Sequence, residues 1–157
     1  MGIRALVTVL AMVAVPGWAS ADPPTSREFR AAVLVGGYLA LTGPADVGGQ
    51  AVIAVKPGGR FGARLSARSY DDQLDCGVIA AGVTYEAAAA RPRLVLDLFA
   101  EAGFDTSERV VVGGGVHTKL FVIGPLALAG ETGVHLFMDG LDSSLAISGS
   151  LLVGLGR

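Results

Sequence analysis

The sequence is poor in cysteine and in charge. Its single cysteine, Cys76, cannot form an internal disulfide, and one thiol cannot build a metal cage of several thiolates. Charged residues make up 17% of the chain, against about 25% in a typical soluble domain. A water-soluble protein of this length normally carries more charge on its surface, so part of this surface is not made for water.

Long apolar runs and a basic excess are missing as well. Although 52% of the chain is hydrophobic, nothing after the N-terminal segment reaches the roughly 18 consecutive apolar residues of a membrane-spanning helix. The 12 basic residues are balanced by 14 acidic ones, which excludes the clustered basic excess of a nucleic-acid-binding protein. A chain this apolar without a spanning helix either buries its surplus or presents it to lipid as strands.

The first 21 residues have the three parts of a secretory signal peptide. Arg4 supplies a positive charge, residues 5–15 form an apolar run, and Ala19-Ser20-Ala21 is a small-x-small cleavage site. The apolar run is too short for a membrane-spanning helix, which needs roughly 20 residues. We therefore predict a cleaved leader over residues 1–21 and a single mature domain over residues 22–157.

Turn residues recur along the mature chain and divide it into eight segments. Glycine, proline and aspartate punctuate the sequence at intervals that are typical of short strands joined by tight connections. Most segments are long enough for tilted membrane strands of about 9–11 residues with some overhang. The segments run over residues 28–41, 49–56, 60–70, 76–87, 93–104, 109–123, 126–138 and 144–156.

Apolar and polar side chains alternate along these segments, as the two faces of a strand require. In the fifth segment one face, from Leu94 to Phe104, carries no charge, while the other carries Asp97 and Glu101. This period predicts an all-β barrel, but the period alone does not decide which face is inside. A soluble lipocalin-like barrel would turn the apolar face inward, and a membrane barrel would turn it outward.

The composition of the polar face favours the membrane barrel. Gly, Ala and Ser dominate this face, and its few charges have both signs. Opposite charges facing one another let a closed polar lumen avoid the cost of isolated buried ions. We therefore predict a lumen ion-pair network, with two lumen histidines beside it. The predicted network is Arg64, Arg68, Asp97, Glu101, Lys119 and Glu131, and the histidines are His117 and His135.

The leader, the eight alternating segments and the final strand resemble the small eight-stranded outer-membrane β-barrels of Gram-negative bacteria. The resemblance covers Glu28 to Arg157 and rests on generic features rather than on a family motif. It implies a monomeric, antiparallel up-and-down transmembrane barrel that contacts outer-membrane lipids and lipopolysaccharide and is inserted by the outer-membrane assembly machinery. Members usually end in an aromatic residue, whereas this chain ends Leu155-Gly156-Arg157.

The resemblance also implies which connections face outward, and these connections are acidic. An acidic outer rim would share divalent cations with lipopolysaccharide phosphates, although the preference of aspartate for turns explains the same residues. The opposite rim carries the basic residues Lys56, Arg60, Arg91 and Arg93. The predicted acidic outer loops hold Asp46, Asp71, Asp72, Asp75, Asp105, Asp139 and Asp142.

Residue sets for catalysis are weak in this sequence. Barrel deacylases place a histidine two residues before a nucleophilic serine, but His117 is followed at that spacing by Lys119 and His135 by Phe137. An acid-base or metal cluster of both histidines with Glu131 stays open. We expect no metal and no cofactor.

The sequence therefore predicts a non-enzymatic outer-membrane barrel with a structural role in the cell envelope. Its lumen, filled by side chains, would leave a narrow gated, porin-like path. Two alternatives remain, which are a soluble periplasmic lipocalin-like barrel that binds an apolar ligand and a barrel lipid hydrolase that depends on a histidine.

Overall fold

A computed structural model describes residues 30–42, 47–70, 77–90, 93–140 and 142–156. The predicted signal peptide lies outside the described residues, as do Cys76 and four predicted loop residues, Asp46, Asp71, Asp72 and Asp75. The described chain forms eight strands. They are β1 (Arg30–Thr42), β2 (Val47–Lys56), β3 (Phe61–Tyr70), β4 (Gly77–Ala90), β5 (Leu94–Asp105), β6 (Val110–Ile123), β7 (Leu126–Asp139) and β8 (Asp142–Gly156).

Each strand pairs antiparallel with its neighbours, and β8 pairs back with β1 to close a barrel. The predicted all-β, up-and-down, eight-stranded fold is therefore confirmed. Each of the eight predicted segments corresponds to one strand. The largest difference in bounds is at β4, which runs three residues further than predicted, and every other bound lies within two residues of its prediction. Within the described ranges, no helix has the length and apolar character needed to cross a bilayer.

The register of the pairs sets the tilt and width of the barrel. Val33 of β1 pairs directly with Leu155 of β8. When the registered partners of Val33 are followed in the opposite direction, from β2 through to β7, the path returns to β8 at Leu145. The two positions on β8 are ten residues apart, and this offset is the shear of the barrel. A shear of ten on eight strands gives a tilt of about 41° and a backbone radius of about 8 Å from standard strand spacings. Such a barrel has room for side chains and little else. The path passes through Ile53, Leu65, Ala81, Ala102, Val112 and Leu136.

The two ends of the barrel differ in what they carry. At the terminal end, β1 begins, β8 ends, and the β2–β3, β4–β5 and β6–β7 connections turn the chain. At the loop end lie the other four connections. The β2–β3 turn over residues 57–60 is tight, and Gly59 has φ 73°, a left-handed conformation that glycine adopts without a side-chain penalty.

Large apolar side chains point outward from every strand. Examples are Val33 on β1, which is 53% exposed, and Leu151 on β8, which is 72% exposed. Charged side chains point the other way, and Arg64 and Glu101 are each only 4% exposed. The faces assigned from the alternation are thus the two faces of the barrel wall, with the apolar face outside.

Two apolar groups line parts of the lumen. The first packs along β1, β2, β7 and β8 and consists of Ala32, Leu34, Val52, Ala127, Ala129 and Leu152, with Phe121 against it. The second lies toward the loop end and consists of Val78, Ala80, Val111, Phe137 and Ala146. Between and beside these groups lie the charged side chains.

Candidate functional site: the charged lumen

The inward charges form two separate clusters. We call the first the histidine cluster: Arg64, Arg68, Glu101 and Glu131, with His117 and His135. We call the second the lysine cluster: Lys56, Lys119, Glu86 and Asp97. Leaving the histidines aside, each cluster holds two cations and two carboxylates. Neither cluster therefore leaves a buried net charge, which is the condition for burying ions at acceptable cost.

Glu131 of β7 is surrounded by donors from three other strands. Its Oε2 accepts from Arg64 Nη1 at 3.1 Å and lies 2.9 Å from His117 Nδ1. Its Oε1 accepts from Gln50 Nε2 at 2.8 Å. His117 and Glu131 are registered partners on β6 and β7, so their side chains point inward beside each other. Protein side chains alone therefore contact both oxygens of this carboxylate.

Glu101 of β5 is held in the same manner on the neighbouring part of the lumen. Both arginines contact it, with Arg64 Nε 3.0 Å from Oε2 and Arg68 Nη2 bound to Oε1. Ser66 Oγ donates to Oε2 at 3.0 Å, and His135 Nε2 lies 3.1 Å from Oε1. Arg64 thus bridges two carboxylates, which links β3, β5 and β7 across the lumen.

The lysine cluster lies nearer the terminal end. Lys56 bridges Asp97, with which it makes a short contact, and Glu86, whose Oε2 is 3.0 Å from Nζ. Lys119 pairs with Asp97 at 2.8 Å. Arg30, partly exposed at the start of β1, adds a bond of 3.0 Å to Glu86. The cluster therefore ties β2, β4, β5 and β6 together and continues to the rim through β1.

The six predicted network residues all point into the lumen, but they do not form one network. Arg64, Arg68, Glu101 and Glu131 lie together in the histidine cluster, whereas Asp97 and Lys119 lie in the lysine cluster. The two lumen histidines, His117 and His135, are 4% and 1% exposed and belong to the histidine cluster. Sequence alternation assigns the face, but the grouping follows from the register.

The acidic loop residues that the structure describes do not all lie in loops. Asp105 is the last residue of β5, and its buried carboxylate accepts from Arg109 Nε at 2.6 Å and from the backbone N–H groups of Ser107 and Arg109 at 2.9 Å. It therefore closes the β5–β6 turn instead of presenting free charge. Asp139 and Asp142 end β7 and begin β8, and both are exposed at the loop end.

Three further residues point into the lumen that the sequence pattern does not place there: Gln50, Lys56 and Glu86. The prediction that Lys56 lies on the basic rim is wrong, because Lys56 is only 4% exposed and points inward. Glu86 cannot be assigned from the sequence because the alternation of its segment is ambiguous, and Gln50 cannot be assigned because its predicted segment is only eight residues long. The signal that identifies Lys56 is its spacing, since it has the inward parity of Gln50 and Val52 on the same strand.

Ser148, His135 and Glu101 are arranged in the order of a catalytic triad, with a hydroxyl beside an imidazole and the imidazole beside a carboxylate. Ser148 Oγ lies 3.5 Å from His135 Nδ1, and His135 Nε2 lies 3.1 Å from Glu101 Oε1. All three side chains point into the lumen and are buried. Glu101 is also paired with Arg64 and Arg68. Within the described residues, no group of three or more His, Cys, Asp or Glu side chains is arranged to hold a metal.

Comparisons with known proteins identify the architecture and nothing finer. No protein-family model matches the chain, and no curated protein matches it. Among solved structures, the chain is similar to the solution NMR structure of the de novo designed protein TMB2.3, with a TM-score of 0.57 and 14% sequence identity. The match covers 80% of this chain and 92% of the designed chain. At this identity the similarity is one of fold.

Proposed function

We propose that the mature chain is a non-enzymatic outer-membrane β-barrel with a structural role in the cell envelope. In this proposal the leader exports the chain, the assembly machinery inserts it as a monomer, and lipid with lipopolysaccharide surrounds it. The lumen is closed by the two ion-pair clusters and leaves a narrow gated path at most. The proposal extends to the exposed acids of the loop end, which would face the cell exterior.

The observation that carries the proposal is the orientation of the two faces. Large apolar side chains cover the outside of all eight strands; Ile53, Leu128 and Leu151, for example, are 46%, 48% and 72% exposed. In water, each Å² of such surface costs about 25 cal/mol, and soluble monomers rarely expose apolar patches beyond a few hundred Å². Hydrocarbon removes that cost. A lipocalin-like carrier requires the opposite arrangement, with apolar side chains lining the cavity.

The interior supports the closed lumen. An eight-stranded barrel is just wide enough for its own side chains, and here both carboxylates of the histidine cluster are fully engaged by cations and hydrogen-bond donors. A hydrated ion would have to displace several charge-assisted bonds to pass. A general diffusion pore does not fit this geometry, whereas a path that opens when cluster bonds break does.

Heat-modifiable electrophoretic migration tests the proposal. The protein extracted from outer membranes should migrate differently in detergent before and after boiling, because a closed barrel resists detergent unfolding. Recovery of a soluble monomer from the periplasm would contradict membrane insertion.

Cysteine labelling tests the orientation directly. In a Cys76→Ser background, Leu151→Cys should react with a membrane-soluble maleimide and not with a charged one. Ser150→Cys is the matched control, because Ser150 is the adjacent residue, is 9% exposed and points into the lumen. Equal reaction of Leu151→Cys with both reagents in membranes would show that the outer face is in water.

A further inference from the structure

Unpaired charge is divided between the two ends of the barrel. Among the described residues, six basic side chains form salt bridges, and two, Arg60 and Arg93, contact no carboxylate. Both of these lie at the terminal end. The carboxylates of the described chain that lack a cation, Glu108, Asp139 and Asp142, all lie at the loop end. Among the described residues, the terminal end therefore carries two cations that contact no carboxylate and no carboxylate that lacks a cation.

Arg60 is held in place by the backbone around it. It is the last residue of the tight β2–β3 turn, and its carbonyl oxygen accepts from the Glu86 backbone N–H at 2.8 Å. Its Nη1 donates to the hydroxyl oxygen of Tyr85 at 3.2 Å. Because Tyr85 Oη accepts this bond, its own O–H remains able to donate to another group.

Two aromatic rings place this pair at the edge of the apolar surface. Phe61 and Tyr85 are registered partners on β3 and β4, both point outward, and their ring centroids are 5.1 Å apart. Phe61 is 69% exposed. Aromatic residues with one polar end are typical of the boundary between hydrocarbon and headgroups. Arg60 therefore lies at headgroup level in a membrane-inserted barrel.

We propose that Arg60 and Tyr85, flanked by Phe61, bind the phosphate of an anionic glycerophospholipid such as phosphatidylglycerol. The inference rests on the proposed membrane insertion and deepens it. Arg60 and the Tyr85 hydroxyl present donors and one positive charge, which match the acceptor-only, singly charged phosphodiester. Phe61 contacts the first part of an acyl chain. A zwitterionic lipid fits less well, because its ammonium group would lie close to the Arg60 guanidinium, and the described carboxylates at this end, Glu86 and Asp97, are already paired with cations.

Lipid selectivity in reconstituted vesicles tests the site. The mature protein would be inserted into phosphatidylcholine vesicles that contain spin-labelled phosphatidylglycerol or spin-labelled phosphatidylcholine, and the motionally restricted fraction of each would be measured. We expect the wild type to prefer the anionic lipid about fivefold, as one charge-assisted contact would give. Arg60→Gln should remove the preference, and Tyr85→Phe should reduce it.

Arg93→Gln is the matched control. It removes the same charge from the same end at an exposed residue with no aromatic hydroxyl bond to it, so it should keep the preference. Equal losses for Arg93→Gln and Arg60→Gln would overturn the site in favour of diffuse attraction. An inserted, heat-modifiable wild type without lipid preference would overturn the site and leave the proposed function standing. Failure of the wild type to insert would overturn both.

Discussion

The guanidinium carbon of Arg64 lies 3.9 Å from the centre of the Phe99 ring in the middle of the lumen. A desolvated cation–π contact of this kind contributes about 2 kcal/mol or more. It also fixes the plane of the guanidinium, whose nitrogens then contact Glu101 and Glu131 on either side. One aromatic ring on β5 therefore orients the residue on which the histidine cluster depends.

Removing one charge from the histidine cluster should destabilise the barrel more than removing a pair. Arg68→Met leaves Glu101 with less compensation, and Glu101→Gln leaves the arginines in excess, so each should cost about 3–5 kcal/mol. The double variant removes both charges and should cost clearly less than the sum. Urea unfolding in detergent micelles, followed by tyrosine fluorescence, measures this difference. Additive costs would show that the two side chains do not depend on each other.

A charge on the outer surface should destabilise the barrel strongly near the middle of a strand and only slightly at the end of a strand. Leu151→Arg, near the middle of β8, should destabilise the vesicle-inserted barrel by about 2–4 kcal/mol, because it places a cation in hydrocarbon. Ile123→Arg is the control, since Ile123 is similarly exposed, 75% against 72%, but ends β6. Its cost should be about 0–1 kcal/mol. Equal, small costs in vesicles would argue for a wall that faces water.

A side chain at Gly113 should destabilise the fold, because Gly113 lies against a histidine of the histidine cluster. A Cβ at this position would be 2.2 Å from His135 Cδ2 and 2.7 Å from the Val134 carbonyl oxygen. Gly113→Ala should therefore displace the imidazole and destabilise the fold by about 1–3 kcal/mol. At Gly130, on the outward face of β7, nothing lies within 4 Å of such a Cβ, so Gly130→Ala should change stability by about 0.5 kcal/mol or less. Thermal unfolding in the same detergent compares the two.

The two clusters should act as barriers in series. Planar-bilayer recordings should show little current for the wild type. Lys56→Ala with Asp97→Ala, or Arg64→Ala with Glu131→Ala, removes one cation and one carboxylate and keeps each cluster balanced. Either pair of substitutions alone should raise the conductance slightly. The four substitutions together should raise it at least about tenfold, which corresponds to a decrease of about 1.4 kcal/mol in the free-energy barrier to ion passage. A large current from one pair alone would show that a single cluster closes the lumen.

The strands, and the faces of most of them, follow from the amino-acid sequence alone, whereas the alternation in β4 is ambiguous. Alternation has a period of two residues and does not depend on which strands are adjacent. The opposite faces of Leu98 and Glu101 on β5 can therefore be assigned from that segment alone. Turn residues similarly divide the chain into eight strands, because glycine, proline and aspartate act within a few positions.

The closed barrel confirms that the apolar face lies outside, which composition favours, and it alone brings particular charges together. Closure with a shear of ten brings Lys56 of β2 to Asp97 of β5, although those strands are not neighbours. A shift of two residues in any one register would keep every side chain on its face and still change these partners. The division into a histidine cluster and a lysine cluster therefore could not be predicted from spacing. It depends on how eight tilted strands close, which is a property of the whole barrel.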